Sequence, residues 1–255
     1  MLLANRTAII TGGASGMGRG IALRFAEEGC SSVVVDIQDA EAKKTVEMVS
    51  RKGREGLAVH CDVSNSKEVK EMVAQAIKKF GKIDIMVNCA GLGTKPRLFL
   101  DITEEEYDKV VAINMKSIFL CCQAIAPHMI ANKYGKIINI SSIAAISYGA
   151  ISMHYSAAKA GAFALSTNVA LDLAKHNICV NTILPGMIRT AMTRVFAPDS
   201  VKDLDAFMSK MAEGIPLKRE GTVDDIASAA LFFASDLSSY ITADRLCVGG
   251  GNPWR

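Results

Sequence analysis

The chain is poor in the features that mark the non-enzymatic classes. It has no Lys/Arg run, and its formal net charge is only +3 over 255 residues. Nucleic acid is therefore not an expected partner. Its seven cysteines are scattered and odd in number, with no Cys-x-x-Cys and no Cys/His finger. Neither a metal site nor a disulfide framework is expected, and free thiols in this number suit a reducing compartment. No run of about 18 apolar residues is present, and Met-Leu-Leu-Ala-Asn-Arg is too short an apolar opening for a signal peptide. The C-terminal Asn252-Pro253-Trp254-Arg255 is no recognised address or lipidation signal. A cytoplasmic protein without a membrane partner is expected. Internal repeats, low-complexity tracts and linkers are also missing, so residues 1–255 read as one domain. With 50% hydrophobic residues it can bury a large core.

What is present alternates. Apolar strand patterns fall at Thr7–Ile10, Ser32–Asp36, Gly56–Cys61, Ile83–Val87, Lys136–Ile140, Ile178–Ile183 and Arg245–Val248. Helical patterns lie between them near 39–52, 66–80, 104–131, 153–175 and 223–235, with Ser66 read as the cap of the second. Alternating β and α elements with apolar strands predict a parallel sheet covered on both faces. Right-handed crossovers then predict a doubly wound α/β fold of about seven strands, order 3-2-1-4-5-6-7, with its ligand crevice at the strand C-terminal ends.

The first strand runs directly into Thr11-Gly-Gly-Ala-Ser-Gly-Met-Gly-Arg-Gly20 and then a helical pattern. Glycines let a backbone approach a pyrophosphate, and a helix N-terminus offers free N–H groups and a positive dipole end. The spacing Gly12-x-x-x-Gly16-x-Gly18 differs from Gly-x-Gly-x-x-Gly and lacks the Gly-Lys-Ser/Thr ending of a phosphate loop, which argues against phosphoryl transfer. The second strand ends in Asp36, about 20 residues on, where a carboxylate accepts from an adenosine ribose 2′-hydroxyl and repels a 2′-phosphate. Ser15, Ile37 and Gln38 are not basic, so NAD is expected over NADP. Arg19, the counter-argument, is expected to face solvent.

Tyr155-Ser-Ala-Ala-Lys159 places a phenol and an ammonium one helical turn apart, on one face. A free Tyr titrates near about 10, and a close cation typically moves such a group by roughly 1–3 units toward its charged form. That would bring Tyr155 within range of proton transfer. By itself the spacing is common on ordinary helices.

The remaining motifs fall where the architecture puts a site: Asn88-Cys-Ala-Gly91 after the fourth strand, Asn114 within the long helix, Ser142 after the fifth strand, and Pro185-Gly186 after the sixth. Together with the glycine turn, Asp62-Val63 and Tyr155/Lys159, the chain resembles the short-chain dehydrogenase/reductase family from about Thr7 to Gly250. The resemblance implies an NAD(P)-dependent alcohol/carbonyl oxidoreductase, a homotetramer or homodimer, acting on a small-molecule alcohol or ketone. It implies Tyr155 as general acid/base, Lys159 lowering its pKa and holding the nicotinamide ribose, and Ser142 bonding the substrate oxygen. Asn114 would hold a water linking Lys159 to solvent. The implied cofactor contacts are Gly12, Ser15, Gly16, Met17, Gly18, Asp36, Ile37, Asp62, Val63, Asn88, Ala90, Gly91, Tyr155, Lys159, Pro185, Gly186, Ile188 and Thr190. Asp62-Val63 would touch adenine, and Thr190 the carboxamide. Two departures stand out: Cys89 replaces the family's usual second Asn, and Val248-Gly-Gly-Gly251 lacks the Asp that often precedes the terminal glycines.

Residues 187–221 are expected to form a substrate lid. Met192, Val195, Phe196, Phe207, Met208 and Met211 suit an apolar alcohol or ketone, or simply pack the lid. Lys95, Arg97, Arg189 and Arg194 read as an anion grip or as solvated charge. His154 points about 100° from Tyr155 and is expected to be structural or pocket-lining. Two other functions remain open: a carrier-protein- or CoA-linked 3-oxoacyl reductase, and a non-catalytic dinucleotide sensor.

Overall fold

The computed structural model describes residues 1–147, 152–198 and 200–251; the C-terminal Asn252-Pro253-Trp254-Arg255 lies outside them. Seven strands form one sheet: β1 (Thr7–Thr11), β2 (Ser31–Asp36), β3 (Gly56–His60), β4 (Ile85–Asn88), β5 (Gly135–Ile140), β6 (Ile178–Pro185) and β7 (Arg245–Val248). Their order is β3-β2-β1-β4-β5-β6-β7, and every pairing is parallel. The helices are α1 (Gly16–Glu27), α2 (Asp39–Arg51), α3 (Ser66–Phe80), α4 (Glu104–Val111), α5 (Ser117–Asn132), α6 (Met153–Leu173), α7 (Thr193–Phe196), α8 (Leu204–Glu213) and α9 (Val223–Ala234).

The pleat sorts adjacent residues to opposite faces. Ile10, Val34, Ile138 and Ile183 pack under α1 and α9 with Ile21, Phe25, Ile226 and Phe233. Their neighbours Ile9, Val33, Val35, Met86 and Ile137 pack under α3 and α5 with Val69, Met72, Ile125 and Met129. Both faces are thus covered, as purely parallel sheets require. The strand order reverses between β1 and β4, so their C-terminal ends open the crevice where such sheets hold ligands.

Four local expectations change. The fourth strand begins at Ile85, because the buried Asp84 carboxylate is taken by Thr7 N at 3.1 Å, Arg6 Nη1 at 3.0 Å and Lys82 Nζ at 2.6 Å. The cap of α3 is Asn65, not Ser66; its side chain accepts from the amides of Lys67 and Glu68. Helix α6 stops at Leu173 and passes into a 3-10 turn over Ala174–His176. The expected helix over 104–131 is broken by a π-helical turn at Ala112–Lys116, which carries Asn114; such turns occur often at functional sites. By length and composition Glu104–Asn132 is apolar enough to cross a membrane, and its α5 part packs against α3, α6, β4 and β5.

Buried polar side chains seat α6 on the sheet. Asn88 Nδ2 donates to Asn139 Oδ1 at 2.7 Å, and Asn139 Nδ2 donates to Ser166 Oγ at 2.8 Å. Higher on the helix, Ser141 Oγ donates to the Lys159 carbonyl at 2.8 Å. These bonds fix the height of α6 against β4 and β5, and therefore the height of Tyr155 and Lys159.

Candidate active site

A cleft of about 450 Å³ opens at the C-terminal ends of β1, β2, β3 and β4. Of the residues expected to contact a cofactor, Gly12, Ser15, Gly16, Met17, Gly18, Asp36, Ile37, Asp62, Val63, Ala90, Gly91 and Thr190 line it. Cys61, Cys89, Leu92, Gly93, Ile113 and Met192 also line it and were not among those predicted. Leu92 and Gly93 continue the Asn88-Cys-Ala-Gly91 strand end, so that motif's position carried a signal for them. Ile113 is brought in by the π-helical turn, which no sequence pattern announces.

The cleft fits a dinucleotide on two counts. A Cβ at Gly18 would stand 2.1 Å from the Gly12 carbonyl oxygen, and one at Gly12 would stand 2.9 Å from Ala90 backbone atoms. The turn is therefore as close-packed as backbone permits, with Gly12 and Gly16 at positive φ (67° and 50°). Ser15, the N-cap of α1, makes no side-chain capping bond, which leaves the first amides of the helix free for an anion. Asp36 sits across from them: Oδ2 accepts from Ala14 N at 3.1 Å and Oδ1 from Gln38 N at 3.1 Å. The carboxylate is thereby fixed and still reaches the cleft. Arg19 does not face solvent. It turns to α2, bonding Glu41 Oε2 at 2.8 Å and Thr45 Oγ1 at 2.9 Å, so its charge is already matched.

Asn88, Pro185, Gly186 and Ile188 lie behind this wall. Asn88 joins the buried amide chain; Pro185 and Gly186 meet β7, with Gly186 N donating to Val248 O at 2.9 Å. Ile188 packs in the core under α1 and bridges to Gly221. The Val248-Gly-Gly-Gly251 segment meets this turn closely: a Cβ on Gly186 would lie 2.6 Å from Gly249 Cα. Cys89 takes no hydrogen-bonding role with its thiol, which burial pushes up to about 12.

Ser142, Tyr155 and Lys159 converge beside the cleft. Ser142 ends β5 through an extended residue, and Tyr155 and Lys159 lie one turn apart on α6. The Tyr155 ring is 5.8 Å from Lys159 Nζ, and that ammonium donates to the Ile140 carbonyl at 3.0 Å. Gly91 is the hinge between groups: a Cβ there would lie 3.2 Å from Asn114 Oδ1 and 3.6 Å from Lys159 Nζ. Asn114 itself is locked to the loop, donating to Leu92 O at 2.9 Å and accepting from Leu92 N at 3.2 Å.

The expected depression of the Tyr155 pKa is not met in this conformation. Burial pushes the phenol up to about 12, opposed only by its hydrogen bond with Ser142. Lys159 goes the other way, lowered by burial to about 8. The physical reason is the packing around the ring: Tyr155 clusters with Val110, Ala144 and Ala158, and Phe196 of α7 stands edge-on against it, centroids 5.3 Å apart and planes at 68°. Together they leave the residue only 5% exposed. His154 is fully buried between α6 and α4, its Nε2 3.5 Å from Glu106 Oε1, in agreement with a structural role.

Of the expected cations, Arg189 is an internal strut of the lid, paired with Asp205 and with Glu220. Arg97 holds Glu106 at 3.1 Å.

Comparison with known proteins agrees with this geometry. A family model described as enoyl-(acyl carrier protein) reductase matches residues 12–252. The chain is 39% identical over 249 residues to the 3-oxoacyl-[acyl-carrier-protein] reductase FabG of Staphylococcus epidermidis, covering 97% of this chain and 98% of that protein. It is 40% identical over 251 residues to the (2S)-[(R)-hydroxy(phenyl)methyl]succinyl-CoA dehydrogenase subunit BbsD of Thauera aromatica, covering 98% of each. Among solved structures, levodione reductase superposes with a TM-score of 0.92 at 30% identity over 98% of both chains. NAD⁺-bound xylitol dehydrogenase superposes with a TM-score of 0.91 at 29% identity, over 98% of this chain and 100% of that one. The sheet order, the glycine turn and these likenesses agree: the chain belongs to the short-chain dehydrogenase/reductase family, a group of oxidoreductases working with a nicotinamide dinucleotide.

Proposed function

We propose that this protein is an NAD-dependent oxidoreductase that interconverts a secondary alcohol and a ketone, with Tyr155 as general acid/base. The carrying observation is that Ser142 hydrogen-bonds Tyr155, Lys159 Nζ lies 5.8 Å from the Tyr155 ring, and Gly91 of the cleft wall adjoins Lys159. A bound nicotinamide supplies the hydride acceptor or donor. The residues of the chain do the rest. Tyr155 Oη takes the proton of the substrate hydroxyl in oxidation and returns it in reduction. Ser142 Oγ bonds the substrate oxygen, where a donor facing developing negative charge is worth roughly 3–4 kcal/mol. Lys159 Nζ, held by the Ile140 carbonyl 5.8 Å from the Tyr155 ring, would hold the nicotinamide ribose. Asn114 holds the loop at Leu92 and a water path behind Lys159.

The preference for NAD rests on Asp36. Its carboxylate is pinned by two backbone amides at the cleft edge, and Arg19 is already matched by Glu41. A 2′-phosphate there would meet a fixed negative charge with no cation to offset it. Calorimetric titration with NAD⁺ and NADP⁺ tests this directly; equal affinities would remove the Asp36 argument.

The 39–40% identity to a 3-oxoacyl-carrier reductase and to a CoA-thioester dehydrogenase supports a second reading, a 3-oxoacyl thioester reductase. Oxidation of NADH against NADPH with a 3-oxoacyl thioester, beside a panel of free alcohols and ketones, separates the two. Residues 187–221 act as a substrate lid through α7 and α8. The chain works in the cytoplasm as a homotetramer or homodimer. Exposed Leu246 and Cys247 on the end strand of the sheet support a second copy covering that edge.

A further inference from the structure

A second cavity adjoins the loop and lid segments that wall the cofactor cleft. That cavity, about 290 Å³, is lined by Lys95, Pro96, Arg97, Ala197 and Pro198. The same two chain segments wall both spaces in the same order. One segment passes from Gly91, Leu92 and Gly93 on the cofactor cleft to Lys95, Pro96 and Arg97 on the second cavity. The other passes from Met192 and Val195 to Ala197 and Pro198.

Among the described residues, Thr94 and Phe196 are the chain positions between the two linings. Phe196 seals the junction from the lid: its ring lies against Tyr155, and a Cβ on Gly93 would come within 3.2 Å of Phe196 Cζ. Thr94 marks the junction from the loop. It is 5% exposed, and its hydroxyl has no hydrogen-bond partner among the described residues. A buried polar atom left unsatisfied calls for an explanation, and a ligand group passing it is one.

The geometry points to a substrate that carries an anionic group a few bonds from the reacting carbinol, the carbinol at Tyr155 and the anion between Lys95 and Arg97. This rests on the reading of Tyr155 as the acid/base. The walls set the chemistry. Two prolines and Ala197 supply rigid apolar sides, and Lys95 and Arg97 are the charged residues among its described lining. Neither cation is idle: Arg97 Nε holds Glu106 at 3.1 Å, and Lys95 makes an interaction of its own. Pairing through Nε pins the guanidinium while its terminal amino groups face other directions, and a planar fork held this way is suited to a carboxylate or phosphate. Arg97 is also held by its backbone, whose amide donates to Ser152 Oγ at 2.8 Å. That hydroxyl donates to Lys95 O at 2.7 Å, tying both cationic residues to the start of the catalytic helix.

The test is a ladder of methyl ketones: 3-oxobutanoate, 4-oxopentanoate and 5-oxohexanoate, each beside its neutral methyl ester. The CoA thioester of 3-oxobutanoate is run beside its N-acetylcysteamine thioester. kcat/KM with NADH is measured for each, with calorimetric affinity of the matching hydroxy acid and ester as a readout free of turnover. The inference expects the anion to win at one rung by about tenfold or more, the discrimination that a charge-assisted hydrogen bond gives. Preference within the acid–ester pairs supports the inference, and Lys95→Gln combined with Arg97→Gln should collapse that ratio. Acid and ester used alike at every rung would overturn the inference while leaving ketone reduction intact. A preference confined to the thioester pair would overturn it too, because the coenzyme phosphates sit a whole pantetheine arm away from the ketone. Turnover of no ketone or thioester at all, with no binding of any probe, would instead strike both the inference and the reading beneath it.

Discussion

Lys159 Nζ donates to the Ile140 carbonyl at 3.0 Å while lying 5.8 Å from the centre of the Tyr155 ring. The β5 backbone thus holds the ammonium beneath the phenol. Burial raises Tyr155 to about 12 and lowers Lys159 to about 8. The signs give opposite pH dependence for the two directions. Ketone reduction needs the protonated phenol, which a raised pKa preserves, so its rate should stay level through neutral pH and fall only in the alkaline range. Alcohol oxidation needs the phenolate, so its rate should climb as pH rises above neutral. Parallel kcat/KM profiles in the two directions check this; oxidation that falls with rising pH would contradict it.

Asp36→Ala should narrow the difference in affinity between NAD⁺ and NADP⁺ by about tenfold or more, the worth of a hydrogen bond to a charged group. It also frees the amides of Ala14 and Gln38, which Asp36 now accepts from. Calorimetry with both dinucleotides reads the change. An unchanged ratio would mean that the carboxylate does not choose the cofactor.

Gly18→Ala should abolish dinucleotide binding and lower Tm, because its Cβ would stand 2.1 Å from the Gly12 carbonyl oxygen. That overlap is with backbone and cannot be relieved by a rotamer change. A variant with wild-type Tm and NAD⁺ affinity would show that the turn is slacker than its packing indicates.

Thr222→Ala removes a reciprocal cap at the start of α9, where Thr222 Oγ1 accepts from Asp225 N and the Asp225 carboxylate accepts from Thr222 N. The loss should be about 1 kcal/mol in stability. Arg219 and these bonds hold the Asp225 carboxyl well below the usual carboxylate range. A folded-state pKa that is depressed adds stability above the unfolded value, and that stability is lost as pH falls through the folded one. The penalty of the substitution should therefore shrink in acid, as denaturation at neutral and at low pH would report.

Much of this arrangement was legible in the sequence because it depends on local chemistry. Apolar runs such as Val33-Val-Val35 can only be buried strands here, and a strand meeting three spaced glycines at Gly12, Gly16 and Gly18 can only turn tightly. The misses arose where tertiary partners override local pattern. Asp84 leaves the fourth strand because Arg6 and the Thr7 amide reach its carboxylate from the start of β1, joined by its near neighbour Lys82. The π-helical turn at Asn114 exists because its amide bonds the backbone of Leu92, a contact invisible to helical periodicity. Arg19 leaves solvent for Glu41, which only the packing of α1 on α2 brings near. Phe196 was readable as a lid residue, but its place on the Tyr155 ring was not.

Replacing Tyr155 by Phe removes one oxygen and keeps the ring that packs against Phe196, so it probes the proton-transfer role with little disturbance of the fold. Turnover should fall by at least about 10²-fold, the usual contribution of a general acid/base, while calorimetric NAD⁺ affinity stays within about twofold. A variant that keeps more than about a tenth of the wild-type kcat would contradict the account, because another group would then be moving the proton.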